Sequence, residues 1–167
     1  IEFWAKINFS TTTYTIFKQG SNADHDLIQI YKNSNYIYLN FNSGQADFDL
    51  TDITTTFWNH YAIVFDSSGE SNNGSADCYV NGSKVNRTYW GGGPGLKGQT
   101  SASGSITIGI FDDTIDEYFK GELKKLKVWN NIRTQSEIQI SYNNTDIYLN
   151  TLSTTYVENL LLYISMN

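Results

Sequence analysis

The stretch that most constrains this chain runs over residues 105–138, SITIGIFDDTIDEYFKGELKKLKVWNNIRTQSEI. Ile106, Ile108 and Ile110 alternate with Ser105, Thr107 and Gly109, the period of a half-buried strand. An acidic loop follows from Phe111 to Lys120. A second strand runs from Leu123 to Trp129, with Leu126 and Val128 on one face. Thr134-Gln135-Ser136-Glu137 then reads as a capping box, in which Thr134 bonds the Glu137 amide and Glu137 reaches back. This predicts one short helix, near 135–142, and no other helix is expected elsewhere.

The rest of the chain repeats the period of two. Phe3, Ala5, Ile7 and Phe9 share one face of a strand, while Glu2, Lys6 and Asn8 lie opposite; Trp4, on that polar side, needs a loop or another chain to pack beneath. Short strands follow at 14–18, 27–32, 36–41 and 46–50, with KNSN as the turn between the second and third of these. Phe57 to Asp66 is apolar on both faces (Tyr61, Ile63 and Phe65 on one, Ala62 and Val64 on the other), so it is expected to be central. Asn81-Gly82, between strands at 77–81 and 84–86, is a strong hairpin signal. Tyr89 to Gly104 reads as a long glycine-rich loop, and 159–165 as a last strand. About twelve strands, short turns and no βαβ pattern predict an all-β fold: a two-sheet antiparallel β-sandwich, forming a single domain over 1–167.

Composition agrees and excludes some functions. Of 167 residues, 40% are hydrophobic and 15% aromatic, enough for a real core. A net charge of −6 and no basic stripe argue against nucleic acid or anionic membranes as partners. No apolar run approaches the roughly 18 residues needed for membrane insertion. Cys78 is the single cysteine and is expected to be a buried hydrophobe. Asn8, Asn73, Asn81, Asn86 and Asn143 each begin Asn-x-Ser/Thr and are candidate N-glycosylation sites, which favours an extracellular or cell-surface location. The chain opens and closes close to strand patterns, as a piece of a longer secreted product would.

Four segments, in order, carry a resemblance: IEFWAKI at 1–7, FWNHYAIVFD at 57–66, CYVNGSKV at 78–85, and the closing set of ITIG, FKGELKKLKVWN and the S-x-E-I helix. NLLLYISMN at 159–167 adds a final strand. Together they resemble the laminin G-like and pentraxin-like group of concanavalin A-like jelly rolls. The resemblance implies a sandwich with one concave sheet and loops at a rim. It also implies binding of glycans, glycosaminoglycans, proteins or phospholipid head groups, often through Ca²⁺. One departure stands out: where many relatives have an acidic pair, Lys124 and Lys125 follow Glu122.

Asp112, Asp113, Asp116 and Glu117 are the candidate calcium ligands, because Ca²⁺ takes six to eight oxygens, often from one loop. Their placement between ITIG and F-x-G resembles the pentraxin calcium loop, with Asp24 and Asp26 as guesses for a distant second segment; the alternative is a solvated acidic loop. Tyr89 and Trp90 are the carbohydrate-stacking candidates, against a reading in which they only anchor the loop. Trp58 and Trp129 resemble core tryptophans of the group. Asp47 and Asp49 share a strand face, but no E-x-D-x-x-E run, G-x-S-x-G elbow or Cys/His zinc set accompanies them. The expectation is a non-enzymatic extracellular adhesion module that binds a glycan or an extracellular protein. The alternative is a subunit of a fibre or coat, self-assembling through sheet edges; a glycosidase ranks third.

Overall fold

The computed structural model describes residues 1–7, 14–20, 28–41, 44–66, 75–91, 105–110, 118–143 and 159–166. Its elements in chain order are β1 (Glu2–Ile7), β2 (Tyr14–Gln19), β3 (Ile28–Asn33), β4 (Tyr36–Phe41), β5 (Gly44–Asp49), β6 (Asn59–Asp66) and β7 (Ser75–Val80). They continue as β8 (Ser83–Lys84), β9 (Arg87–Gly91), β10 (Ile106–Ile108), β11 (Gly121–Trp129), α1 (Gln135–Asn143) and β12 (Leu160–Ile164). One six-stranded sheet has the order β12-β11-β1-β6-β7-β8 and the other β10-β2-β3-β4-β5-β9, with antiparallel pairing throughout. The expected two-sheet β-sandwich is therefore present and, among the described residues, has one short helix where the capping box places it.

The alternating side chains meet between the sheets. Phe3, Ala5 and Ile7 of β1 join Tyr61 and Ile63 of β6, Cys78 of β7, Ile30, Ile37, Leu39 and Phe48 of the second sheet, and Leu126 of β11 in one buried cluster. Cross-strand partners Phe3 and Tyr61 stack at 5.4 Å with 19° between their rings. Cys78 is fully buried, and burial raises its thiol well above the ordinary range, so it serves as a small apolar filler.

Two turns show how local chemistry fixes register. Asn81 and Gly82 adopt φ values of 51° and 77°, the left-handed pair that a two-residue hairpin needs, and Val80 pairs with Ser83 across them. Between β3 and β4 the left-handed residue is Ser34, at φ 51°, rather than either asparagine of KNSN. Lys125 also lies at positive φ (54°), where the β1–β11 register slips by one residue. This bulge puts Lys124 and Lys127 on the same side of the strand while Leu126 points into the core. Alternation alone does not reveal it.

The stretch expected to be a glycine-rich loop begins instead as a strand. Arg87–Gly91 pairs with β5 and forms one edge of the second sheet. Thr88, Tyr89 and Trp90 are good strand formers, and the open edge of β5 supplies hydrogen-bond partners that the sequence pattern does not advertise.

Candidate functional site

Each sheet has a face turned away from the shared core, and these two faces are built differently. On the first sheet, β6 is apolar on both sides, as expected for a central strand. Ala62 and Val64, with Tyr79 of β7, receive Ile138 of α1. The helix begins with the capping box: the Thr134 amide donates to Glu137 Oε2 at 2.8 Å, and the Glu137 amide donates to Thr134 Oγ1 at 3.3 Å. Gln135 and Gln139 donate to the Gly82 carbonyl at 3.3 and 3.4 Å, fastening the helix to the hairpin.

Beneath this helix lies a cluster of buried charge. Glu2 and His60 are each 1% exposed and Arg133 is 4% exposed. Arg133 Nε donates to Glu2 Oε1 at 3.3 Å, Arg133 Nη1 to Glu137 Oε1 at 2.9 Å, and His60 Nε2 lies 3.4 Å from Glu2 Oε2. Lys127 Nζ donates to Ser141 Oγ at 2.9 Å. Burial acts against the Glu2 carboxylate, but His60 and Ser141 and the Lys127 charge outweigh it and hold the group down at about 2. The cluster joins β1, β6, β11 and α1, tying the helix to the sheet through Arg133 and Lys127.

Several motif residues belong to this structural side. Trp4 stacks on Tyr142 of α1 at 5.7 Å, so the packing partner it needed is the helix. Asn81 Oδ1 accepts from the His60 amide at 2.9 Å, its Nδ2 donates to Asn59 Oδ1 at 2.8 Å, and Asn59 donates to the Thr54 and Phe57 carbonyls. The W-N-H and N-G segments are thus one interlocked turn. Of the two tryptophans expected in the core, Trp129 is buried and Trp58 is not. Trp58 is half-buried at the surface, with Lys124 Nζ 4.0 Å and Lys6 Nζ 5.1 Å from its ring centre. Trp129 is buried, but under Arg133, whose guanidinium lies 4.2 Å from the ring, on the helix side of β11. Cationic neighbours stabilise both rings, and hydrophobic patterning does not anticipate them.

The outer face of the second sheet is polar; Tyr31, Tyr38, Asn40, Gln45 and Asp47 are half-exposed on it, while Thr15 and Gln29 toward β2 are buried. Strand register aligns two rows across it. One row is Thr15, Tyr31, Tyr38, Asp47 and Tyr89, contributed by β2, β3, β4, β5 and β9. The next is Thr107, Lys18, Gln29, Asn40 and Gln45. Tyr31 and Tyr38 stack at 4.6 Å and 5°, and Tyr36 tilts against Tyr38 at 6.1 Å. Gln29 Nε2 donates to Thr15 Oγ1 at 2.9 Å, Asn40 Nδ2 to Gln29 Oε1 at 3.5 Å, and Gln45 Nε2 to Asp47 Oδ1. Burial raises both phenols, Tyr31 to about 12 against the pull of its Asn40 hydrogen bond and with smaller pushes from Tyr38 and Asp47, and Tyr38 with a further push from Asp47, so both keep their hydroxyl protons at neutral pH. Tyr89 is 53% exposed at the end of its row.

Among the described residues, the predicted site residue that falls on this face is Tyr89. Trp90 sits on β9 opposite Ala46, on the strand and not on a rim loop, and its side chain lies outside the described residues. Asp112, Asp113, Asp116 and Glu117 lie outside the described residues, as do Asp24 and Asp26. So do Asn8 and Asn73; Asn86 and Asn143 are exposed, while Asn81 is half-buried with its amide engaged. Asp49 accepts from the Thr51 amide and hydroxyl at 2.8 and 2.6 Å, which lowers its carboxyl, so it caps a turn rather than pairing with Asp47. The sequence reading missed Tyr31, Tyr36, Tyr38, Asn40 and Gln45. Their signal was the polar half of each alternating strand, legible only once strand order stacks the halves.

A solved protein of similar fold comes from Bacteroides ovatus ATCC 8483 and is named a "putative carbohydrate binding protein". It superposes with a TM-score of 0.64 at 18% identity, over 98% of this chain. The chain spans 44% of that protein's length. No curated protein matches the chain. The family model described as "Concanavalin A-like lectin/glucanases superfamily" matches residues 1–139, and the chain belongs to that superfamily.

Proposed function

We propose that the chain is a non-catalytic carbohydrate-binding module of an extracellular protein, and that the open face of the second sheet is its binding surface. The observation that carries this reading is the register-aligned set Tyr31, Tyr38, Asp47 and Tyr89, flanked by Asn40 and Gln45. Tyrosine hydroxyls beside amide and carboxylate groups suit a ligand dense in hydroxyls. The superfamily and the name of the similarly folded Bacteroides protein support it. The commitment of Asp49 to Thr51 supports binding over hydrolysis, since a retaining pair needs two free carboxyls about 5 Å apart. Exposed Asn86 and Asn143 suit a secreted glycoprotein.

Calcium held by Asp112, Asp113, Asp116 and Glu117 is part of the same proposal. A glycan array run with calcium and with EDTA tests both. Binding abolished by Asp47→Ala is the expected result. Binding unaffected by EDTA removes calcium, and an array without any bound glycan overturns the whole reading.

A further inference from the structure

The way the tyrosines stand on this face narrows the ligand class. Tyr31 and Tyr38 are nearly parallel, so each covers one ring face of the other. Register places Thr15 beside Tyr31 and Asp47 beside Tyr38 on the remaining sides. What the pair offers solvent is ring edges and phenol hydroxyls, not a flat platform.

Alongside are the Asn40 and Gln45 amides and the Asp47 carboxylate, which accepts from Gln45 and has further acceptor capacity. Asp47 and Asp49 lie along β5, within this face. Lys18, two strands from Tyr38, is the cation in the two rows and already has a partner of its own. Arg87 is turned to the first sheet, donating to the Ala76 carbonyl at 3.1 Å. Lys32 lies on the core side and donates to the Ser34 carbonyl at 2.6 Å. The face therefore has acceptors and neutral donors for hydroxyl groups and a carboxylate that repels anions.

Resting on the carbohydrate reading above, we infer that this face selects neutral polysaccharides and reads them by hydrogen bonds from tyrosine hydroxyls and to Asp47, not by ring stacking. A sugar hydroxyl donating to Asp47 makes a charge-assisted bond, while a uronate or sulfate at that position meets like charge.

The test is titration calorimetry of the chain at about 20 mM salt, where attraction for acidic chains is least screened. The probes are xylan, galactomannan and soluble starch as neutral polymers, and polygalacturonate and heparin as acidic ones. A neutral polymer is expected to bind and both acidic ones to fail. Tyr31→Phe with Tyr38→Phe keeps both rings and removes both hydroxyls, and should weaken binding about tenfold with an unchanged melting temperature. Asp47→Asn should reduce the discrimination against the acidic polymers. Acidic polymers bound as tightly as neutral ones, or a double Phe variant that binds like the parent, overturns this inference and leaves the carbohydrate reading standing. Failure of all five polymers overturns both.

Discussion

The two outer faces of the sandwich both carry polar side chains, in opposite circumstances. On the first sheet, Glu2, His60 and Arg133 are buried beneath α1 and held against one another, with Lys127 beside them bonded to Ser141. On the second, Tyr31, Tyr38, Asn40, Gln45 and Asp47 remain half-exposed and only partly engaged. A buried ionic cluster loses heavily when one partner is removed, because the other is left desolvated and unpaired. A partly exposed polar row loses little, because water replaces the lost partner. The first arrangement spends its polarity on holding the helix, and the second leaves it available for a ligand.

The largest effect that would break this contrast is at Arg133. Arg133→Ala strands Glu2 in the interior and is expected to cost about 3–5 kcal/mol by urea denaturation. A loss of under about 1 kcal/mol would show that the cluster is not desolvated and that the two faces are alike.

Acid gives a slightly smaller effect. Glu2 is held at about 2 in the folded chain against an ordinary value of 4.5. A carboxyl with a depressed folded value contributes stability that is fully present above its unfolded value and is lost as the pH falls toward the folded one. The loss between roughly pH 5 and pH 2 is on the order of 3 kcal/mol. The check is the stability difference between the parent and Glu2→Gln, which should shrink over that window. A difference independent of pH would mean that the charge of Glu2 is not what the helix rests on.

The smallest effect belongs to the open face. Tyr38→Phe should change stability by no more than about 0.5 kcal/mol in the same denaturation measurement. A cost of about 2 kcal/mol would show that the tyrosine rows are structural and would weaken their assignment as a ligand surface.

Much of the fold is legible in sequence because its signals are local. Alternation marks β1, β6 and β11, Asn81-Gly82 marks the hairpin, and Thr134 with Glu137 marks the helix start. Cys78 is a buried apolar residue, as its strand spacing in DCYVNG leads one to expect. The aromatics were harder to place. A tryptophan in an apolar run looks like core whether its ring meets leucines or, as with Trp58 and Trp129, lysine and arginine. Tyr89 and Trp90 looked like loop residues because the glycines after them dominate the pattern, while the β5 edge that recruits them is some forty residues away. The acidic set at 112–117 remains a sequence motif, outside the described residues.

By itself, then, the sequence determined that the chain is a β-sandwich, where its strands turn and where its helix is capped, because periodicity and capping act over a few residues. Only the tertiary structure decided which polar side chains share a face. Tyr31, Tyr38, Asp47 and Tyr89 are separated by up to 58 positions and become neighbours through strand order alone. The same ordering brings Glu2 to Arg133, 131 residues away, under the helix. Strand pairing is set by the total apolar surface buried between the sheets, a sum over the whole chain that no single stretch contains.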